Sequence, residues 1–381
     1  MRYGPEILLN LSNEDLSMLV SKHTEERLFA LLRSALFDKE INISLFEDIT
    51  NEDWLEIYNT ALDQGVLAFT YDAIKQLPST MHPDIELKIQ WAYNVDHIEK
   101  LFNRQLSAAK SLVDILSSDA INTMILKGLS LASLYPTPSH RQSGDIDVYL
   151  MGDYKRGNSI ISKKGIKVKY DFFVHSEFGI NGINVENHLY FVNPNVNRTG
   201  MRVQELLSQI SSTLPHPIVE GALMPSPEFN ALFLTRHSSW HYAREGVHLR
   251  EVCDWSIFLQ KSGESLDKKS IVAMLRECGL ERYASIMTTI ARKYLDINVS
   301  LPFDNTYDQL AERVKEDIFT FDNPEKHRRS GVMKVFFCKI RNRISRKWCY
   351  DLVVPDSYWG NIWYSIKGYI LHPFAIFKAK L

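Results

Sequence analysis

The chain contains 381 residues, of which 45% are hydrophobic and 24% are charged, and its formal net charge is −2 at pH 7. This length exceeds one typical domain of about 100–200 residues, so we expect two or three packed units. The composition excludes a largely disordered protein, and the near-zero charge excludes a global attraction to nucleic acid or anionic lipid.

The cysteines and the first residues predict the cellular compartment. Cys253, Cys278, Cys338 and Cys349 are widely spaced and form no C-x-x-C pair, which argues against a zinc site or a disulfide framework. Residues 1–10 lack the basic start and apolar run of a secretion signal, and no apolar stretch is long enough to span a bilayer. We therefore expect reduced thiols and a cytoplasmic location.

The first third of the chain has the residue spacing of amphipathic helices. Apolar residues recur three or four positions apart from about residue 12 to residue 117, and Pro78 interrupts the pattern. A long helix is expected over 84–116. These features predict a helical N-terminal region.

From residue 122 onward the pattern changes to that of strands. Residues 122–126 form a short, mainly apolar run, as in a buried strand. Lys127-Gly128 then leads into a short helix, which is expected to reach Tyr135 and to end before Pro136. Further strands are predicted over three ranges, 146–151, 166–174 and 183–190.

The last of these ranges alternates between apolar and polar residues. It predicts a half-buried strand with Ile183, Val185 and Leu189 on one face. Glu186, His188 and Tyr190 lie on the other. Beyond Pro225 helical spacing returns and continues past residue 294.

The next predicted helix has a recognisable start. Ser226 is a suitable N-cap, Pro227 suits the first helical position, and the helix is expected to run through Trp240.

Asp145 and Asp147 are two positions apart at the predicted 146–151 strand, so their carboxylates project to the same side. Without a cation the two charges would repel and raise one pKa, whereas Mg²⁺ takes one or two carboxylates together with phosphate oxygens. The D-x-D pattern is also common on solvent-facing strands. Whether it indicates a metal site therefore depends on the residues around it.

Basic and flexible residues surround these aspartates in the sequence. The Lys127-Gly128 turn lies between a predicted strand and a helix, where backbone N–H groups and the positive helix end can hold phosphates. Arg141, Ser143 and Gly144 precede the aspartate strand and supply a cation, a hydroxyl and a flexible residue. The combination indicates metal-dependent nucleotide chemistry.

A third carboxylate is expected to complete the metal site or to deprotonate an attacking hydroxyl. Glu186 is the first candidate, and Asp171 and Glu177 are its alternatives. The choice depends on strand register, because a slip of one residue would turn Glu186 to the other face.

These motifs, in this order, resemble the DNA polymerase beta-like nucleotidyltransferase superfamily. In particular, the chain resembles a bacterial family described as uncharacterised nucleotidyltransferases and, more distantly, the abortive-infection nucleotidyltransferase toxins. The resemblance extends over about residues 91–259 and rests on four segments, 125–128, 141–148, 182–188 and 237–255.

The resemblance implies an α+β fold, in which a small mixed β-sheet nucleotidyltransferase core is flanked by N- and C-terminal helical regions. The expected units are an N-terminal helical region at 1–85, a catalytic domain at 86–224, a C-terminal helical domain at 225–325 and a basic, aromatic tail at 326–381. A helix after the aspartate strand must then fit within 152–165.

The resemblance also implies transfer of a nucleoside monophosphate from an NTP to an acceptor hydroxyl by a two-metal mechanism with Mg²⁺ or Mn²⁺. The catalytic residues and metal ligands are expected to be Asp145, Asp147 and Glu186. The NTP is expected to contact seven residues: Lys127, Gly128, Ser130, Arg141, Ser143, Gly144 and Arg250. The acceptor is left open as a small molecule, a glycan, RNA or protein.

Two other functions are open alternatives. One is a catalytically silent nucleotide- or RNA-binding module that retains the fold. The other is a tRNA-modifying toxin, which the spacing of Arg141 and Ser143 and the basic tail favour. Pyrophosphate release separates the enzyme from the silent module, and growth arrest on induction would support the toxin.

Three further features have a structural and a functional interpretation. His237 and His241 have the spacing of metal ligands on a helix, but no H-E-x-x-H motif accompanies them, so we interpret them as structural. Arg250 and Asp254 can form a helix-surface ion pair, or Arg250 can face a ligand. Residues 334–347 carry six basic residues and no acid. That segment and the aromatic residues after it suit either a peripheral contact at the inner membrane face or a tail packed onto the catalytic unit.

Overall fold

The structure is a computed structural model that describes residues 20–170, 175–194, 198–213, 218–219, 221–320, 346–353 and 359. Within these ranges, helices precede and follow one mixed β-sheet, which confirms the expected α+β architecture with helical regions on both sides. None of the helices in these ranges is long and apolar enough to cross a membrane.

Four helices form the N-terminal region: α1 (Lys22–Phe37), α2 (Asn51–Asp63), α3 (Leu67–Ile74) and α4 (Ile85–Ser117). Polar caps explain where two of them begin. Thr50 forms a capping box with Asp53 before α2, and the Asp84 side chain accepts a hydrogen bond from the Leu87 N–H at the start of α4. The long helix predicted over 84–116 therefore forms as expected.

Seven described strands make up the sheet: β1 (Met124–Leu126), β2 (Ile146–Tyr149), β3 (Lys169–Tyr170), β4 (His175–Ile180), β5 (Ile183–His188), β6 (Ile218–Val219) and β7 (Ala222–Leu223). Their spatial order is β3-β4-β5-β2-β1-β7-β6. Strand β2 lies at the centre, antiparallel to β1 and parallel to β5.

Two strand predictions need correction. Only residues 169–170 of the predicted 166–174 strand are a described strand, and residues 171–174, which include Asp171, lie outside the described residues. Strand β5 ends at His188, so Leu189 is not on its core face and is 38% exposed.

Strands β4, β6 and β7 were not predicted, although a short sequence signal for β4 is present. Strands β4 and β5 form a hairpin joined at Asn181 and Gly182, which have φ values of 50° and 75°. Positive φ at both central residues is what a type I′ turn requires, and Asn-Gly is a preferred pair for it. The turn sets the pairing of Ile180 with Ile183 and hence the register of the whole hairpin.

One face of the sheet is apolar and packs against two helices, α4 and α6 (Tyr154–Lys163). Ile146, Val148 and Val185 are buried there. Helix α6 fits within the short 152–165 connection because Gly157 lies against Leu150, where an added Cβ would come within 2.1 Å of Leu150 Cδ1.

The second helical region contains α7 (Arg198–Thr213), α8 (Pro227–Glu245), α9 (Leu249–Ser262), α10 (Lys268–Glu277), α11 (Glu281–Leu295), α12 (Asp308–Thr320) and α13 (Lys347–Val353). Helix α8 begins at the predicted cap, because the Ser226 hydroxyl accepts a 3.3 Å hydrogen bond from the Phe229 N–H. It runs five residues beyond the expected end at Trp240.

The two helical regions share one hydrophobic core and a polar contact that positions α9. The Gln64 side-chain oxygen accepts a 2.7 Å hydrogen bond from the Leu249 N–H, and the Gln64 carbonyl accepts a 3.2 Å bond from the Arg250 N–H. These bonds satisfy two N–H groups at the start of α9 that have no partner within the helix.

A short part of the predicted tail packs against the preceding helices. Helix α13 contacts α8 and α11, and Arg346 forms a 2.8 Å ion pair with Asp317. Residues 334–345 of the predicted basic segment lie outside the described residues, and so do the aromatic residues beyond position 353 except Trp359. Cys253, Cys278 and Cys349 are buried free thiols, and Cys338 is also outside.

Candidate active site

The sheet register brings two of the predicted carboxylates together. Strands β2 and β5 are parallel and pair Asp147 directly with Glu186, so the two side chains lie on the same face. Asp145 immediately precedes β2, and its carboxyl group is within hydrogen-bonding reach of the Glu186 carboxylate. Of the two alternatives, Glu177 lies opposite Glu186 on β4, one strand farther from the aspartates.

The two aspartates have unequal pKa values. Burial, and then the charges of Asp147 and Glu186, raise the pKa of Asp145 to about 6. Burial would also raise the pKa of Asp147, but Lys127 and His188 outweigh it and hold that pKa well below its usual range. The atoms are close: Asp147 Oδ1 lies 3.1 Å from Lys127 Nζ and 2.8 Å from His188 Nε2.

This arrangement has the chemistry of a divalent-cation site. Crowded carboxylates repel one another, as the raised pKa of Asp145 indicates, and a divalent cation relieves that repulsion. Ligand atoms of Asp147, Glu186 and His188 lie within 4.8 Å of one another. The predicted alternation of strand β5 placed His188 on the same face as Glu186 without assigning it a role, and the structure brings it within 2.8 Å of Asp147.

The Lys127-Gly128 turn is strained and tightly packed. Lys127 has a φ of 45° and a ψ of −131°, a region that favours glycine and costs a side-chain-bearing residue on the order of 1–3 kcal/mol. A Cβ on Gly128 would lie 2.8 Å from Ser143 Oγ. Gly128 therefore permits the loop that carries Ser143 to approach the turn. The following helix, α5 (Gly128–Ala132), has only five residues, so Lys127 is the main positive charge here.

The remaining predicted phosphate contacts divide into two groups. Ser143 and Gly144 line a cleft together with Lys127, Gly128 and both aspartates. Ser130 is not one of the described residues that line it, because its hydroxyl is buried under the turn and donates a 2.8 Å hydrogen bond to the Lys127 carbonyl.

Arg141 also lines the cleft, but its guanidinium is held by an aspartate of α9. Its Nε and one terminal nitrogen donate hydrogen bonds of 2.8 and 2.7 Å to the two oxygens of Asp254. Tyr135 donates a further 2.7 Å bond to Asp254. This buried network connects the loop before Asp145 to the second helical region.

Arg250 faces the cleft rather than pairing with Asp254 along the helix surface. Its guanidinium donates hydrogen bonds of 3.1 Å to the Gln142 carbonyl and 2.9 Å to Glu251. The buried Nε has no hydrogen-bond partner among the described residues. Arg250 thus fixes the same loop as Arg141 from a second position.

The cleft lies between the charged face of the sheet and helices α8, α9 and α11. It encloses about 760 Å³ of empty space, counting the part open to solvent. One wall carries His237, whose pKa is lowered well below its usual value by burial and then by the charges of Lys127 and His241. His237 and His241 stack edge to face with their rings 4.4 Å apart. The sequence interpretation of this pair as structural did not anticipate that His237 faces the cleft.

The chain matches one known protein family. Residues 50–296 match the model of a family described as uncharacterised nucleotidyltransferase. The matched region runs from the cap of α2 to the end of α11, so it includes helices from both helical regions as well as the sheet. No curated protein and no solved structure matches the chain significantly. The family match covers more than half of the sequence, and the chain therefore belongs to this nucleotidyltransferase family.

Proposed function

We propose that the protein is a Mg²⁺- or Mn²⁺-dependent enzyme that transfers a nucleoside monophosphate from an NTP to an acceptor hydroxyl. The observation that carries this proposal is the pairing of Asp147 with Glu186 in register, with the Asp145 carboxyl group beside Glu186. Both aspartates line a cleft beside Lys127. Membership of the family supports the reaction class.

The carboxylate group fits a divalent cation by its donor chemistry. Asp145, Asp147 and Glu186 would hold the metal, because they offer the hard oxygen ligands that Mg²⁺ and Mn²⁺ prefer. Bound there, two ions would neutralise charge on the phosphates and lower the pKa of the acceptor hydroxyl.

Lys127 is assigned to the phosphates of the NTP. Its ammonium group is 3.1 Å from Asp147 and also lines the cleft, so a small rotation of its flexible side chain reaches a phosphate oxygen. Ser143 contributes a hydroxyl beside it. Gly144 is exposed with no atom within 4 Å of the position a Cβ would take, which leaves room for a phosphate.

The two arginines are assigned mainly to positioning. The bonds of Arg141 to Asp254 and of Arg250 to the Gln142 carbonyl orient the loop that precedes Asp145. Such orientation matters because in-line phosphoryl transfer depends on positioning and charge neutralisation. The cleft wall formed by Trp255, Tyr283 and Met287 is largely apolar and suits the base of the NTP.

A labelling experiment tests the proposal. The purified protein is incubated with each NTP labelled at the α-phosphate, with Mg²⁺ or Mn²⁺, and with fractionated cell extract containing small molecules, glycans, RNA and protein. We expect label in one acceptor class and equimolar pyrophosphate. Asp145→Ala and Asp147→Ala should abolish both, whereas Asp96→Ala, which removes a surface carboxylate paired with Lys100 on α4, should not.

The same experiment identifies the main alternative. Metal-dependent NTP binding without labelled product or pyrophosphate from any fraction would contradict the enzyme and support a catalytically silent nucleotide-binding module. Labelling that survives both aspartate substitutions would contradict the assigned site.

A further inference from the structure

Two histidines and two glutamates form a square on the charged face of the β4–β5 hairpin. Strand β4 carries His175-x-Glu177 and strand β5 carries Glu186-x-His188. The hairpin register pairs His175 with His188 and Glu177 with Glu186. Since alternate residues of a strand project to the same face, all four side chains lie on one side of the sheet.

The paired glutamates require a positive partner. Like charges directly opposite each other on neighbouring strands destabilise a sheet. Both carboxylates are also partly shielded from solvent, with side chains 27% and 13% exposed for Glu177 and Glu186.

The imidazole of His175 lies between these carboxylates, at distances typical of two ligands that share one metal ion. Its Nε2 is 3.5 Å from Glu177 Oε1 and 3.7 Å from Glu186 Oε2. Both separations exceed the ~2.9 Å of an ordinary N–H···O hydrogen bond, and the shorter one is at the outer limit for such a bond. They are close to the ~3.4 Å between two ligands of a tetrahedral ion with bonds of ~2.1 Å.

We infer that His175, Glu177 and Glu186 form a binding site for a divalent transition-metal ion, distinct from the Asp145–Asp147 pair. Ligand atoms of these three residues lie within 4.8 Å of one another. A donor set of one imidazole and two carboxylates suits Zn²⁺ or Mn²⁺ better than Mg²⁺, which prefers oxygen ligands and retains water. The site shares Glu186 with the proposed catalytic group, but it does not depend on nucleotidyl transfer.

Neutralisation by side chains alone is the competing explanation. Lys169 lies opposite Glu177 on β3, and the His175 ring is 3.5 Å from the Glu177 carboxylate, at the outer limit of a hydrogen bond. In that case Lys169 and the hydrogen bond from His175 stabilise the two glutamates without a metal. The hairpin then has no preference for Zn²⁺ over Mg²⁺.

Calorimetric titration of the metal-free full-length protein separates the two explanations. Zn²⁺, Mn²⁺ and Mg²⁺ are each titrated into the Asp145→Ala/Asp147→Ala variant, which disables the proposed catalytic group. We expect one equivalent of Zn²⁺ to bind, more tightly than Mn²⁺ and far more tightly than Mg²⁺. Adding His175→Ala or Glu177→Gln should weaken Zn²⁺ binding by more than about tenfold. His97→Ala, which removes an exposed histidine of α4, should leave it unchanged.

Several outcomes would overturn the inference. They are the absence of a one-equivalent Zn²⁺ site in the aspartate variant, unchanged Zn²⁺ affinity after either substitution, and equal affinity for Zn²⁺ and Mg²⁺. Circular dichroism checks that each variant is folded. If His175→Ala unfolds, the partly exposed Glu177→Gln variant still decides the question. Label transfer by the wild-type protein is measured separately, so failure of this site and failure of the proposed function are distinguishable.

Discussion

The two faces of the sheet are built by the same strands but carry opposite kinds of side chain. On one face, Ile146 and Val148 are buried against helices α4 and α6. On the other, Asp147 and Glu186 lie side by side, and the pKa of Asp145 is raised by burial and by its neighbours. The apolar face stabilises the fold, whereas the charged face stores repulsion that a cation can relieve.

The largest effect is expected from removing one negative charge, that of Asp145, from the charged face. Asp145→Asn should reduce label transfer by about 10²–10³-fold, comparable to the loss of a principal electrostatic stabiliser. The same change should stabilise the metal-free protein, because a carboxyl whose folded pKa is about 6 destabilises the fold increasingly as pH rises from its unfolded value of 3.8. Above pH 7 the gain should be on the order of 1–3 kcal/mol. Urea unfolding at pH 4 and pH 8 checks this, and a loss of stability at pH 8 would contradict it.

The next largest effect is expected at the buried ion pair between Arg141 and Asp254, which joins the loop before Asp145 to helix α9. Asp254→Ala leaves the buried Arg141 guanidinium and the Tyr135 hydroxyl without their shared acceptor. The free energy of unfolding should fall by about 3–5 kcal/mol. Replacing both charged partners, as Arg141→Met with Asp254→Leu, should recover part of that loss. A double variant less stable than Asp254→Ala would argue against a buried ion pair.

A substitution on the apolar face should lower the stability of the protein but leave its label transfer almost unchanged. Ile146→Val removes one methylene group from a buried side chain that is 1% exposed, and it should cost about 0.5–1.5 kcal/mol of unfolding free energy. Label transfer per folded molecule should stay close to wild type. A large loss of transfer would show that the two faces are not independent.

The smallest expected effect is a pH dependence at His140, which precedes the Arg141 loop. Its ring nitrogens lie 2.6 Å from Asp72 and 2.8 Å from Glu99. Burial lowers its pKa, but these two carboxylates outweigh burial and raise the pKa above its usual value. The resulting stability is fully present below about pH 6.5 and is lost as pH rises through the folded pKa.

The contribution of His140 should be below about 1 kcal/mol, because Glu99 is partly exposed. Unfolding of wild-type and His140→Gln proteins from pH 5 to pH 9 measures it. The substitution should flatten the dependence, and parallel curves would contradict the assignment.

Several helices and the strands β1, β2 and β5 were predictable from local patterns. Helix α4 follows the Asp84 cap and a long apolar periodicity, and β1 is a short apolar run before the Lys127-Gly128 turn. The fold class and the family were identified from the order of such motifs. Each of these features depends on residues that are close in the sequence.

Features that depend on register and distant packing were harder to predict. The Asn181-Gly182 turn, which was not recognised, determines that Glu177 lies opposite Glu186. The pairing of Arg141 with Asp254 joins residues 113 positions apart, and a helix-surface partner for Asp254 was equally compatible with the local spacing. Which polar residues face the cleft is decided by tertiary contacts that local spacing does not encode.

The most direct test of the central claim compares two carboxylate substitutions in the labelling assay. Glu186→Gln keeps the shape of the side chain beside Asp147, and Asp96→Asn does the same on the surface of α4. We expect label transfer and pyrophosphate release to be lost with Glu186→Gln and retained with Asp96→Asn, with both proteins folded. Equal transfer by the two variants would contradict the assignment of the charged face as the metal-binding catalytic site.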